Sequence, residues 1–146
     1  MKMLLDNEYA MGVVKCPKVR LPEDKRKKIG ITSGSDCLDR DDWKSFNKTL
    51  DRVLFKFEDP IIITMGKPNT SVDRLIHRYC NQNWLVYRVH HTNRSKPATV
   101  ASELRLVDFL NDCDLLLVFQ EGQCEKTEYI VTLALAQFLP VKIIEV

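Results

Sequence analysis

The sequence predicts a doubly wound α/β fold, with a mainly parallel five-stranded sheet and helices on both faces. Three observations carry that expectation. Residues 110–144 contain a complete strand–loop–helix–strand unit. Short apolar runs alternate with helix-period segments along most of the chain. The connections that follow the strands are built from small, polar or cationic residues.

The closing unit is the most informative. Leu115-Leu116-Leu117-Val118-Phe119 is an unbroken apolar run bounded by Asp112-Cys113-Asp114 and Gln120-Glu121, as expected of a strand buried on both faces of a parallel sheet. Gln120 to Glu125 is a polar loop around Gly122. From Lys126 the apolar residues Ile130, Leu133, Ala134 and Phe138 recur at helical spacing, until Pro140 ends the segment. Val141 to Ile144 then reads as a second strand. Two strands joined through a helix are parallel, with a right-handed crossover.

The earlier elements repeat this order. Ile29 to Ser33 is the first core strand, and Asp41 or Asp42 is expected to cap a helix over 43–57 with Trp43, Phe46, Leu50, Val53, Leu54 and Phe57 inward. Asp59-Pro60 stops it, and 61–65 is the second strand. Ser71 is a plausible cap for a helix over 72–81 that turns Leu75, Ile76 and Tyr79 to the core. Residues 84–89 form the third strand. A third helix covers 98–110, with Val100, Leu104, Val107 and Leu110 inward.

The chain has 146 residues with 45% hydrophobic content, which suits one domain with its own core. We divide it into a basic arm, 1–28, and a sheet domain, 29–146. The net charge of +2 is unevenly spread: residues 1–28 hold eight Lys/Arg against four Asp/Glu, and the remainder is mildly acidic. A nucleic-acid binder usually carries a basic face on its folded body, so the balance favours other partners. The arm is expected to pack on the domain or on a neighbouring subunit; as an alternative it forms a basic lip over a phosphate-bearing ligand. No apolar run approaches the roughly 20 residues of a membrane span. Five cysteines without close pairs fit a reducing, cytoplasmic setting. No metal site is expected: His90-His91 has no Cys, Asp or Glu at ligand spacing beside it, and reads as a strand end with a solvated ring.

In a doubly wound sheet the loops after the strands converge on one crevice. They supply the candidate ligand-binding residues Ser33, Gly34, Ser35, Asp36, Gly66, Lys67, Ser71, Asp73, Arg74, Arg94, Lys96, Gly122 and Thr127. Small-residue loops at helix N-termini offer backbone N–H groups to phosphates, and the four cations complement an anion. Neither GxGxxG nor GxxxxGK[ST] is present, so a dinucleotide fingerprint and a P-loop are excluded. Asp36 and Thr127 also have plain readings as helix caps, and Asp73-Arg74 as an exposed helix pair.

Several of these stretches resemble the YspA-like branch of the SLOG superfamily, which also contains the LOG phosphoribohydrolases and the DNA-processing protein DprA. Ile31 to Asp36 is similar to a strand followed by GSRD. Ile63 to Gly66 with Ser71 to Arg74 is similar to GGxxGADR, and Asp114 to Phe119 with Gly122 and Thr127 resembles ADxxxAF-PGGxGT. The resemblance covers about residues 29–145. It implies a Rossmann-like domain that binds a nucleotide or a nucleotide-derived signal and has no separate cofactor. In the LOG enzymes a catalytic Glu lies three residues after the loop Thr; here that position is Ile130, and Glu128 is turned roughly 200° away on a helix.

Three readings follow. The first is binding of a nucleotide-derived small molecule, for sensing or sequestration, without turnover. The alternative is an enzyme cleaving an N-glycosidic bond, a phosphoribohydrolase or deoxyribosyltransferase, with Glu121, Glu125 or Glu128 as the carboxylate. The third is a DprA-like nucleic-acid-binding protein that uses the arm. Under each, pairing with further copies of the chain is expected by analogy with small domains of this class.

Overall fold

A computed structural model describes residues 20–33, 38, 40–65, 71–90 and 98–146, with 40, 71 and 98–104 described by their backbone alone. Five strands, β1 (Lys28–Ser33), β2 (Ile61–Thr64), β3 (Val86–Val89), β4 (Leu115–Gln120) and β5 (Val141–Glu145), form one sheet in the order β3-β2-β1-β4-β5. Every neighbouring pair is parallel. Four helices connect them: α1 (Trp43–Leu54), α2 (Ser71–Gln82), α3 (Ala98–Asn111) and α4 (Glu125–Ala136).

The sheet divides the interior into two cores. Ile29, Ile31, Ile62, Leu117 and Phe119 pack against Phe46 and Leu50 of α1 and Leu75, Ile76 and Tyr79 of α2. Their neighbours along the same strands, Ile61, Ile63, Leu116 and Val118, pack against Phe109 and Leu110 of α3 and Ile130 and Ala134 of α4. Helices on both faces require both sides of each inner strand to be apolar. The unbroken runs of β1, β2 and β4 meet that requirement. The doubly wound fold is thus the one the sequence predicts.

Local differences have clear physical causes. The third strand begins at Val86 rather than Trp84, and α4 ends before Phe138. Trp84 and Phe138 have φ of 57° and 59°, and the next residue closes a six-residue turn in each case: Leu85 N–H donates to Cys80 O and Leu139 N–H to Ala134 O, both at 3.0 Å. Each is a left-handed helix stop whose side chain leaves the apolar face. Phe138 is therefore 94% exposed rather than packed inward. Asp59, with φ 51°, makes a similar left-handed return from α1 to β2. Asp42 stands at the N-cap of α1 without a side-chain capping bond, and α1 ends at Leu54, short of Phe57. In α3, Leu106 and Phe109 are buried along with Leu110, whereas Val107 is half-buried.

The described part of the arm, 20–28, packs on the domain at the amino ends of the strands. Asp59, just before β2, accepts from Arg20 Nη1 at 2.7 Å, from Leu21 N–H at 3.1 Å and from Arg26 Nη2 at 3.3 Å. Arg20 also donates to Trp84 O, and Lys28 N–H donates to Asp114 Oδ2 at 2.8 Å. This stretch lies at the end of the sheet opposite the strand-to-helix loops, so it forms no lip over them.

Candidate functional site at the carboxyl ends of β1 and β4

The chain leaves β1 through α1 on one face and leaves β4 through α4 on the other, although β1 and β4 are neighbours. Their carboxyl ends are therefore the topological switch point of the sheet, where connections diverge and leave a crevice. The register brings Ser33 level with Phe119, so the two strands end together. Phe46 of α1 packs on Phe119 with ring centroids 5.2 Å apart, closing the α1 side beneath that level.

Of the loops above the sheet, the one between β4 and α4 lies wholly within the described residues. Gly122 is exposed with φ +64°, and a Cβ there would meet nothing within 4 Å, so glycine serves the left-handed turn itself. Glu128 N–H donates to Cys124 O at 3.0 Å and opens the helical ladder. The amides of Glu125, Lys126 and Thr127 precede that bond, and Cys124 makes no side-chain cap. Thr127 is 1% exposed, and its Oγ1 has no hydrogen-bond partner among the described residues. It does not cap α4, contrary to its plain reading. A buried hydroxyl left unpaired costs about 1–3 kcal/mol; Asn47 Oδ1 and Arg105 Nε are likewise buried without a partner among the described residues.

The other expected site residues are distributed as follows. Ser33 is half-buried at the end of β1. Asp73 is half-buried and Arg74 exposed on α2. Ser71 is the first residue of α2 rather than the residue before it. Gly34, Ser35, Asp36, Gly66, Lys67, Arg94 and Lys96 lie outside the described residues. Glu121, Glu125 and Glu128 are all exposed, while Ile130 is buried in the core between the sheet and α3 and α4.

Arg74 lines a shallow cleft of about 440 Å³ on α2 with His77 and Arg78, whose guanidinium stacks 4.0 Å above the Trp43 ring. A larger cleft, about 510 Å³, lies at the amino ends of the strands. Asp51, Glu58 and Asp59 line it, and that carboxylate character makes it unsuited to an anion. Asp51 accepts from Tyr79 Oη at 2.7 Å; burial first, and then this bond, push the Tyr79 hydroxyl well above its ordinary pKa.

One polar cluster had no signature in sequence spacing. Asp112, after α3, takes hydrogen bonds from Arg88 Nη1 at 3.1 Å and His90 Nε2 at 2.9 Å, with Lys28 Nζ 3.6 Å away. His90 also meets the Phe109 ring edge-on, so its ring is engaged rather than solvated. Burial opposes ionisation of Asp112, but the hydrogen bonds from His90 and Arg88 and the charges of Arg88 and Lys28 outweigh it. They hold the carboxyl below its usual range. Among the described residues no group of three or more His, Cys, Asp and Glu side chains is arranged to hold a metal. No helix among them is long and apolar enough to cross a membrane.

Fold and site together define an all-parallel, doubly wound α/β protein with an unpaired buried hydroxyl at its switch point. Comparison with protein-family models, with curated proteins and with solved structures finds no match to this chain.

Proposed function

We propose that this protein binds a nucleotide or nucleotide-derived anionic small molecule at the carboxyl ends of β1 and β4 and holds it without turnover, in the manner the SLOG resemblance implies. The observation that carries the reading is Thr127: a fully buried hydroxyl without a partner among the described residues, in the first turn of the helix that leaves the switch point. A phosphate oxygen there would accept from Thr127 Oγ1 and from the amides of Glu125, Lys126 and Thr127, with the helix dipole favouring its charge. Gly122 keeps the facing loop free of a side chain. Lys67, Arg94 and Lys96 are the loop cations proposed to complete the charge balance.

Turnover at a glycosidic bond needs a carboxylate held at the sugar. The position that resemblance assigns to it holds Ile130, buried in the core, and the nearby Glu121, Glu125 and Glu128 point to solvent exposure rather than enclosure. The nucleic-acid reading loses support because Arg20 and Arg26 both pair with Asp59 and Lys28 lies beside Asp112. A reducing, cytoplasmic setting fits Cys80 and Cys113, which are buried thiols.

The test is to incubate purified protein with a nucleotide-rich cell extract, desalt, denature, and identify the released molecules by mass spectrometry. An intact nucleotide or derivative at near-stoichiometric yield, lost in Thr127→Val, is the expected result. Release of free base and ribose phosphate would establish an enzyme, and protein recovered empty would refute ligand binding.

A further inference from the structure

The two edges of the sheet are finished differently. On the β3 edge, Arg88 is tied to Glu23 at 3.2 Å and to Asp112 at 3.1 Å, and charged side chains of this kind protect an edge from pairing. The β5 edge presents Ile143 between the exposed side chains of Lys142 and Glu145. Ile143 is 45% exposed, and the adjoining helix α4 adds Tyr129 and Leu135 at 49% and 58%.

The backbone states how this edge can be used. Leu116 N–H donates to Pro140 O at 2.9 Å, and Val146 N–H donates to Gln120 O at 2.9 Å. Pro140 and Val146 thus face β4, and by the alternation of a strand so do Lys142 and Ile144. The N–H and C=O groups of Val141, Ile143 and Glu145 face outward, on the side of β5 where the sheet ends.

We propose that β5 pairs antiparallel with β5 of a second copy about a twofold axis at Ile143, joining two sheets into one. Charge selects this register. A twofold axis at Lys142 sets Lys142 directly against its own copy, and one at Glu145 does the same with Glu145; like charges placed opposite each other destabilise a strand pair. An axis at Ile144 carries Val141 past the end of the partner strand, leaving its outward groups unpaired. With the axis at Ile143, Ile143 meets Ile143, Val141 meets Glu145, and Lys142 meets Ile144. All three outward residues then pair, and no charge faces its like. The inference is independent of what the switch point binds.

The test is sedimentation of the 146-residue chain and of Ile143→Lys, with disulfide cross-linking of two cysteine variants. The expected result is a dimer whose dissociation constant rises by roughly tenfold or more in Ile143→Lys, which puts two cations across the axis. Far-UV circular dichroism should be unchanged, because Ile143 lies on the outer edge. Ile143→Cys should give an oxidised covalent dimer above the wild-type background, since hydrogen-bonded antiparallel partners stand about 5.5 Å apart at Cα, within disulfide reach. Ile144→Cys should not. A chain that stays monomeric, a dimer indifferent to Ile143→Lys, or cross-linking at Ile144→Cys instead of Ile143→Cys would each overturn the proposal.

Discussion

Cys113 rests directly on the backbone of Gly30: a Cβ at Gly30 would lie 2.4 Å from Cys113 Sγ and 3.0 Å from the Phe109 ring. This contact sets how closely the end of α3 approaches β1. Gly30→Ala is expected to cost about 1–3 kcal/mol through overpacking, read as a lower midpoint in urea unfolding. Cys113→Ala in the same chain should recover part of that loss, because it removes the nearest atom. Additive effects of the two changes would rule out the clash as the cause.

Phe138 is 94% exposed and holds φ at 59°. A side chain in that conformation costs roughly 1 kcal/mol relative to glycine, and almost no burial opposes the change. Phe138→Gly should therefore raise stability by about 0.5–1 kcal/mol, measured by thermal unfolding. A loss of stability would mean that Phe138 packs on something in solution.

Asp59 joins residues 20–26 to the start of β2. Asp59→Asn preserves the shape and the tolerance for a left-handed backbone but removes the charge between Arg20 and Arg26. The expected loss is about 2–3 kcal/mol, with faster tryptic cleavage at Arg26. Arg26 is 9% exposed, so the effect should persist in high salt. Disappearance of the difference in salt would contradict a buried pair.

Asp112 gives the fold a pH dependence. Its folded pKa lies below its ordinary value, because hydrogen bonds from His90 and Arg88 and the charges of Arg88 and Lys28 outweigh the cost of burial. A depressed carboxylate contributes stability above its unfolded pKa of about 3.9, and that contribution fades as pH falls through the folded value. Wild type and Asp112→Asn should thus differ by a constant amount above about pH 5 and converge below about pH 4. Parallel curves down to low pH would assign the difference to something other than ionisation.

Thr127→Val separates binding from folding. Without ligand the change removes an unpaired buried hydroxyl, so the empty protein should gain about 1 kcal/mol. The same variant should lose retention of the nucleotide-derived ligand. A less stable empty protein would instead mean that Oγ1 already has a partner.

The strands were legible because a parallel sheet with helices on both faces demands apolar residues at every position, which is what Leu115 to Phe119 supply. Strand order was not, since nothing local to Ile29 or Leu115 records that they become neighbours. Periodicity registers that Trp84 and Phe138 are apolar but carries no sign of φ, so Trp84 is read into the third strand and Phe138 into the last helix, places that a left-handed stop denies them. The turn after β4 was readable from its glycine, Gly122. The burial of Thr127 was not, because it sits in the run Glu125-Lys126-Thr127-Glu128, where its three neighbours are exposed. In the arm, Arg26 stands within the charged run from Glu23 to Lys28, and only the folded chain brings Asp59 to it.

The central position of β1 also has a consequence for synthesis on the ribosome. β1 leaves the tunnel first among the strands, and β2 and β3 can add to one side of it in sequence, each through a local crossover. Its other side must wait for Leu115 to Phe119, the most apolar run in the chain, to emerge much later and slot between β1 and the last strand. During that interval the nascent half-sheet carries an open hydrogen-bonding edge beside Ile29 and Ile31, and the growing chain is then most exposed to pairing with a stranger.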